Sequence, residues 1–547
     1  MQQPTGFDYK APQQTGSLGL HNTDISTSEE DVQTLQNNDA RDIPVAKGQI
    51  LLEQPQPTPD KPNKPYSIYT NREKWIIVTM AAVAGLFSPL TSQIYFPALP
   101  TLAKAFHTST ENINLTVTMY VLLQGIAPMF WGTLADRWGR RPMFMACMLV
   151  LSLSCVGLAL VPTNAYWLLM VLRCVQAAGS ASTIALGAGV IADITERAER
   201  GNFFGLYNLG PMVGPCLGPV IGGALAQGLG WRSIFWFLCI GSSICLVAML
   251  LILPETLRSL VGDGSITPPP IYRPLLPIIG RNRTGTNDDV ERPPKTKFRN
   301  PFRIMFYPDV FILLLFNGVQ NSLFYAMTAS ISTLFSVTYP YLSETTIGLC
   351  FLAIGGGMLA GSWINGRVLD LEYRRVRRNL ERRACEDPEY DVPFEDVTKD
   401  EHFPIEYARF RTIPIYFVIY VAVAIGYGWA LQSKVNIAVP LILQVIFGYA
   451  IICILNTTQT LIVDLVPGQG SSVSACNNFV RCGLGAVTVS VIDIMINAMG
   501  VGWAFVVLAG LCVATGPFIF MIMFIGPKFR AKRRLRQAQK QSEKQPQ

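Results

Sequence analysis

Twelve apolar runs of about 20 residues, each cut off from the next by a polar or charged segment, constrain this chain more than any other feature. They lie near residues 75–97, 113–134, 142–161, 166–190, 203–227, 232–253, 310–336, 346–366, 412–431, 437–462, 472–496 and 501–525. A run of that length, coiled at 1.5 Å per residue, crosses ~30 Å of hydrocarbon. Lipid offers no hydrogen bonds to the backbone, so such segments must be helices that satisfy their own amides. Half of the 547 residues are hydrophobic, 15% are charged and the mean hydropathy is +0.32, a balance that water cannot wrap as a single globular surface. The expected fold is an all-α membrane protein with twelve transmembrane helices.

The net charge of +7 does not mark a nucleic-acid binder, because the basic residues alternate with the apolar runs instead of forming a patch. Arg137, Arg140 and Arg141, then Arg197 and Arg200, the 255–308 loop, the Arg-rich 367–411 loop and the tail after Lys528 all fall on one side. The loops 162–165, 338–345 and 497–500 on the other side hold no Lys or Arg. The positive-inside rule makes the basic side cytoplasmic, together with both termini. Residues 1–74 read as a disordered cytoplasmic tail and 75–254 as the first six spans. A central cytoplasmic loop at 255–308 leads to six further spans over 309–526, interrupted by the long loop 367–411. Residues 527–547 form a basic tail. The 367–411 loop carries the arginines 374–383 before an acidic stretch, a pattern for a short amphipathic helix at the headgroups. The sequons at Asn114, Asn282 and Asn456 fall at a membrane edge, in the cytoplasm and inside a span.

Two strings 234 positions apart suggest duplication: Gly132 to Arg141 and Gly366 to Arg375. Each has Gly, then Asp four residues on, then an Arg pair: Gly132, Asp136, Arg140 and Arg141 against Gly366, Asp370, Arg374 and Arg375. The first also contains Arg137 and Gly139. Both read as charged hairpins at the end of an apolar run. Gly132 would let a neighbouring helix approach, Asp136 could accept from donors at a facing helix N-terminus, and the arginines would hold the loop at the headgroups. Such a cluster can latch two halves in one conformation and release them in another. A topogenic anchor without a gating role is the alternative.

The fifth run carries Gly210-Pro211, Gly214-Pro215, Gly218-Pro219 and Gly222-Gly223. Spacing by four puts the glycines on one stripe, and the prolines remove backbone donors, so the run reads as a smooth, bendable helix on which another helix can rock. The twelve cysteines have no CxxC pair or metal spacing and read as packing residues. No phosphate-cradling loop, metal cluster or nucleophile–base pattern stands out, which speaks against an enzyme and against a resident cofactor.

These residues carry a family resemblance. Gly132 to Arg141 resembles the signature loop of the major facilitator superfamily. Arg173 with Gln176 and Gly179, and the Gly-Pro repeat, resemble two further motifs of its fungal twelve-span drug:proton antiporters. The segments P-E-T-L-R from Pro254, Q-I-Y-F-P from Gln93, Q-A-A-G-S-A from Gln176 and N-N-F-V-R-C from Asn477 are similar to the branch holding yeast quinidine- and weak-acid-resistance pumps and fungal citrate exporters. The resemblance implies the major facilitator fold, two six-helix bundles around a central cavity lined by spans 1, 4, 7 and 10, with alternating access.

Charges inside a bilayer cost at least ~2.5–3.5 kcal/mol and tend to be functional. Arg173 in span 4 and Arg481 in span 11 are the clear ones. Arg173 resembles the family arginine linked to proton coupling; Arg481 reads either as a substrate contact or as a donor to Asn477 or Asn478. Polar candidates for the cavity are Gln93, Tyr95, Gln124, Gln176, Asn208, Asn317, Gln320, Asn321, Tyr325, Asn456 and Gln459. Asn317, Gln320, Asn321 and Phe324 share a face by spacing. Each could instead join two helices by hydrogen bonds. Spans 1, 4, 7 and 10 have no acidic residue mid-span, which favours an anion or a neutral amphiphile over a strong cation. By resemblance Asp136 is the first candidate for proton coupling, with Asp493 second. The expected function is a proton-coupled exporter of small organic compounds, acting as a monomer in the plasma membrane. A dedicated exporter of an organic acid or secondary metabolite, and a non-transporting membrane sensor, are the alternatives.

Overall fold

The computed structural model describes residues 66–196, 199–279, 305–386, 403–466 and 470–542. Twelve long helices carry the membrane-length runs: α1 (Asn71–Gln93), α2 (Thr110–Trp138), α3 (Arg140–Leu160), α4 (Tyr166–Ile194), α5 (Arg200–Leu229), α6 (Arg232–Ile252), α7 (Pro308–Thr338), α8 (Glu344–Glu386), α9 (Ile413–Gln432), α10 (Ala438–Leu465), α11 (Gly470–Met499) and α12 (Val501–Ala514), which resumes after a turn as Pro517–Ser542. Residues 1–65, most of the 255–308 loop's second part (280–304) and the acidic stretch 387–402 lie outside the described residues.

Local chemistry sets the helix ends. Thr70 and Glu73 form a reciprocal capping box at the start of α1, and Ser109 caps α2 through the Asn112 amide at 3.3 Å. Between α2 and α3 the whole turn is one residue, Gly139, at φ +106°; Gly230 and Gly500 turn α5 into α6 and α11 into α12 at φ +78° and +84°. Left-handed backbone of this kind is nearly free only to glycine, so three helical hairpins close without a loop.

The helices form two six-helix bundles, and each major pairing recurs six spans later. α1 packs on α4 and α5, α2 on α4, and α3 on α4 and α6; α7 packs on α10 and α11, α8 on α10, and α9 on α10 and α12. The two bundles meet through α5 against α8 and α2 against α11. We call the end that carries the α2–α3 turn and the end of α12 the near face, and the opposite end the far face.

Several contacts fasten the near-face ends of the second bundle. Arg533 reaches Asp309 at 2.6 Å, Arg409 reaches Asp464 at 3.1 Å, Arg411 reaches Glu372 at 3.3 Å and Arg530 reaches the buried Glu406 at 3.3 Å. The first joins α12 to α7, and the other three tie α8, α10 and α12 to the short helix Ile405–Phe410 and the Arg411 that follows it.

One sequence expectation needs correction. Gly366 to Arg375 is not a hairpin: Gly366, Asp370, Arg374 and Arg375 lie within the unbroken 43-residue α8. That helix is ~65 Å long, about twice the hydrocarbon thickness. Beyond Gly366 no Gly or Pro occurs before Pro388. Leu369, Glu372 and Val376 are buried on one side of the extension while Asp370, Arg374 and Arg375 point outward. The amphipathic helix expected for this loop is therefore a continuation of α8. The string at Gly132 differs because Gly139 ends its helix.

The Gly-Pro run is one continuous helix whose Gly210, Gly214, Gly218 and Gly222 face α1 and whose Gly223 faces α8 across the bundle interface. A Cβ at Gly210 or Gly222 would collide with the Ala82 or Ile94 carbonyl of α1, and one at Gly214 would lie 2.9 Å from the Leu90 amide nitrogen; Gly218 packs on Gln93 and Ile94. The stripe locks α5 to α1 inside one bundle. Prolines 211, 215 and 219 interleave with it, and the adjoining face meets α8: Gly348 packs on Pro219 and Val220, Gly223 on Glu344 and Gly348, and Gly355 on Cys216.

Candidate functional site

The near-face turn between α2 and α3 is built around a carboxylate from outside the signature string. Glu255, 1% exposed just after α6, accepts from the backbone amides of Arg140 at 2.8 Å, Arg141 at 3.2 Å, Thr256 at 3.0 Å and Leu257 at 3.0 Å. It caps the α3 N-terminus, where the helix dipole favours a negative charge. Burial pushes its carboxyl up, against the pull of those four amides. The Arg140 guanidinium is left to reach Asp193 at the end of α4 (3.0 Å) and Asp136 on α2 (2.7 Å). Arg141 instead holds the carbonyls of Leu253, Ile271 and Leu250 at 2.9, 3.0 and 2.8 Å. Arg137 points its chemistry at the same near face from the last turn of α2. Gly132 and Gly366 both have open space where a Cβ would stand, so neither hosts a close helix approach in this conformation.

Deep in the first bundle, Arg173 is fully buried between two tyrosines. Its guanidinium carbon lies 4.1 Å from the Tyr95 ring centre and 4.3 Å from that of Tyr120. Nη1 donates to Gln176 Oε1 at 2.6 Å and reaches the Thr91 carbonyl at 3.5 Å, while Nε and Nη2 have no acceptor. Among the described residues no carboxylate pairs with it. Tyr95 is held by Thr116 at 3.1 Å and Tyr120 by Ser180 at 2.7 Å. Two desolvated cation–π contacts, each worth up to ~2 kcal/mol, offset part of the cost of a buried charge and leave two strong donors without partners.

A polar web in the second bundle joins α7, α10 and α11. Asn317 donates to Asn477 at 2.7 Å, Asn477 to Gln459, and Gln459 to Ser474 at 2.9 Å. Arg481 donates to Asn478 at 3.0 Å, and its Nε is buried without an acceptor. Asn478 crosses to the first bundle, donating to the Gln124 carbonyl at 2.9 Å. Asn321 meets the Arg481 carbonyl at 3.4 Å, and Tyr325 lies against Gly485 of α11.

The shared face expected for α7 splits. The Gln320 side chain turns away from Asn317 and Asn321, donating to Thr515 of the α12 turn at 2.9 Å, while the Gln320 backbone carbonyl accepts from Tyr420 of α9 at 2.6 Å. Four-residue spacing places residues near each other but does not decide which neighbour a long amide selects. Asn456 pairs with Ser362 of α8 at 3.2 Å, a helix-joining role. Gln93 is buried beside Gly218, Gln176 is bound to Arg173, and Asn208 is exposed on α5.

The bundles are shut against each other from the far face inward. Asn497 donates to Glu111 at 3.1 Å, the Thr345 amide to Gln227 at 3.1 Å, Thr101 to Glu344, and Asn114 to Asp493 at 2.6 Å. Nearer the middle, a Cβ at Gly355 would lie 2.7 Å from the Cys216 Cα, and one at Gly125 2.9 Å from the Cys482 Cβ. Asp136, close to the near face, has its side chain 47% exposed.

Glu255, Asp193 and Asn114 are not among the sequence candidates, and Asn477 enters there only as a possible partner of Arg481. P-E-T-L-R carried a signal for Glu255. The Asn114–Asp493 pairing joins residues 379 positions apart, which spacing cannot reveal.

Comparison with known proteins agrees with this architecture. The family model for the Major Facilitator Superfamily matches residues 81–490. Citrate exporter 1 of Aspergillus niger is 36% identical over 86% of this chain and 90% of its own length. The MFS antiporter QDR2 of Candida albicans is 36% identical over 82% of this chain and 88% of its own length. The multidrug transporter AQR1 of Candida glabrata is 35% identical over 87% and 80%. The crystal structure of the human organic anion transporter MFSD10 shares the fold, with a TM-score of 0.50 at 15% identity, over 82% of this chain and 99% of that one.

Proposed function

The chain belongs to the major facilitator superfamily, and from that premise we propose that it is a secondary active exporter of small organic compounds, driven by proton antiport with alternating access. The observation that carries the reading is the interface between the bundles. It is closed tightly from the far face to mid-membrane, whereas the signature glycines Gly132 and Gly366 stand in open space toward the near face. A two-body protein shut at one end has a counterpart shut at the other, reached by rocking about mid-membrane. Similarity to exporters of citrate and of drugs sets the direction outward. The near face is then cytoplasmic, with both termini there, and the protein works as a monomer in the plasma membrane.

In this reading the turn at Gly139 gates the near face. Glu255 fixes α3 to α6, so Arg140 and Asp136 move as part of a rigid first bundle. When the near face closes, the half-exposed Asp136 meets the α11 N-terminus, where the helix dipole favours a carboxylate. In this reading Asp136 and Asp493 are the carboxylates that couple gating to protons.

A second reading, a dedicated organic-acid exporter, is favoured by Arg173. Its Nε and Nη2 are buried donors without an acceptor, and a carboxylate is the natural partner for a guanidinium so presented. Arg481 Nε offers a third such donor at the bundle interface. Cells expressing the protein should expel preloaded labelled citrate, benzoate or quinidine faster than cells without it, and a protonophore should remove the difference. Equal efflux of all three in both cell types would contradict the proposal.

A further inference from the structure

The bond between Asn114 and Asp493 joins the two bundles where the far face is shut, and half of its chemistry is unused. Asn114, 2% exposed on α2, donates from Nδ2 to Oδ2 of Asp493, 7% exposed on α11. The other end of the amide, Asn114 Oδ1, is buried and has no donor. A carboxylate can only accept, so an ionised Asp493 satisfies the amide N–H and leaves the amide oxygen orphaned. A neutral carboxylic acid has one acceptor and one donor, the complement of a carboxamide. Protonated at Oδ1, Asp493 would accept from Nδ2 and donate to Asn114 Oδ1 in a closed ring of two hydrogen bonds.

We propose that Asp493 is a proton-binding site of the far-face gate, and that the acid–amide ring with Asn114 is the latch that holds the two bundles together. While the bundles are apart, Asp493 takes a proton from far-side water. The neutral group re-enters the interface without the cost of burying a charge, and the ring fastens the gate. Loss of the proton breaks the ring, leaves an anion in a buried seam and favours opening.

The surroundings support this. Glu111, one turn from Asn114 on α2, brings a second negative charge to the same seam, held by Asn497 at 3.1 Å; it repels an ionised Asp493 and not a neutral one. Among the described residues no ion pair joins Asp493 to a cation. On α11, the nearest charge is Arg481, twelve residues or ~18 Å along the helix. Of the neighbours packed on α11, α2 contributes Glu111, Tyr120 and, at its near end, Asp136 and Arg137; α4 contributes Tyr166, Arg173 and, at its near end, Asp193; α7 contributes Tyr325 and no charge beyond Asp309 at its near end; α10 contributes Asp464 at its near end; and Val501–Ala514 of α12 contributes Cys512 and no charge. The segment leading into α2 contributes Lys104 and His107.

The inference rests on the alternating-access reading, but its test needs no substrate. The full-length protein, in lipid nanodiscs and with the exposed Cys385 replaced by Ser, would carry spin labels at Leu229→Cys and Tyr341→Cys, far-face positions 76% and 72% exposed on opposite bundles. Distances are then measured by pulsed electron spin resonance between pH 5 and pH 8. The widely separated population should grow as pH rises. Asp493→Asn should abolish that titration, and Asn114→Ala should keep it but shift its midpoint down by about one pH unit, because the protonated state loses its ring. A pH-independent distance in the parent protein, or an Asp493→Asn protein that titrates like the parent, overturns the proposal. If Asp493→Asn fails to fold, Asn114→Ala decides, and an unshifted midpoint overturns it. A working gate titration with no export would instead fault the transport reading.

Discussion

Glu255 holds Arg140 by its backbone and not by its charge: Oε1 takes the Arg140 amide at 2.8 Å, which frees the guanidinium for Asp193 and Asp136. One carboxylate thereby fixes the start of α3, the end of α6 and the direction of the arginine that links α2 to α4. Removing it with Glu255→Ala leaves four buried amides without an acceptor and should cost about 1–3 kcal/mol of stability, read as a lower unfolding temperature in detergent. Glu255→Gln keeps one acceptor and should lose less.

The same residue makes stability depend on pH. Burial raises the folded-state value of its carboxyl above the ordinary glutamate range, so the folded protein binds the proton more tightly than the unfolded one. Its contribution is complete below the ordinary glutamate value and is lost as pH rises through the raised one. Melting curves between pH 4 and pH 8 should show that decline in the parent protein and a flatter profile in Glu255→Gln.

Gly139→Ala should be more damaging than its size suggests. The position has φ +106°, and a Cβ there would collide with Glu255 Oε2. Strain and lost capping together should exceed about 2 kcal/mol, visible as a reduced yield of monodisperse protein.

Two glycines on the same helix should fail in different ways. Gly210 packs against α1 inside one bundle, so Gly210→Ala should lower stability without changing the balance between conformations. Gly223 packs against Glu344 across the interface, so Gly223→Val should hold the far face open and raise the thiol labelling of a far-face cysteine about tenfold.

Arg173→Lys keeps the charge and loses the flat group between Tyr95 and Tyr120, and transport should fall at least about tenfold with normal abundance. If a carboxylate is the cargo, Arg481→Ala should abolish its export at unchanged protein level.

The twelve helices were legible because lipid demands long apolar runs, and the α2–α3 turn because Gly139 and the charges around it are local. What spacing could not supply was choice among neighbours. The string at Gly366 matched the one at Gly132 in its Gly, Asp and Arg positions, yet it lacks a residue that ends a helix, and α8 continues through it. The Gly-Pro stripe reads from sequence as a smooth, bendable face for another helix; which helix each glycine meets, α1 for Gly210, Gly214, Gly218 and Gly222 and α8 for Gly223, is a tertiary fact. Gln320 shares a helical face with Asn317 on paper and bonds to Thr515 instead. Arg173 was found as a buried charge; that two tyrosines from α2 and the end of α1 stand on either side of it is a tertiary fact.

The most direct test of proton-driven export is the uptake of labelled citrate and labelled quinidine into inside-out plasma-membrane vesicles carrying the protein, with an imposed proton gradient and with that gradient collapsed. Accumulation of at least one of them above empty vesicles, present only with the gradient, is the expected result. Uptake that is the same with and without the gradient, or the same as in empty vesicles for both compounds, would contradict it.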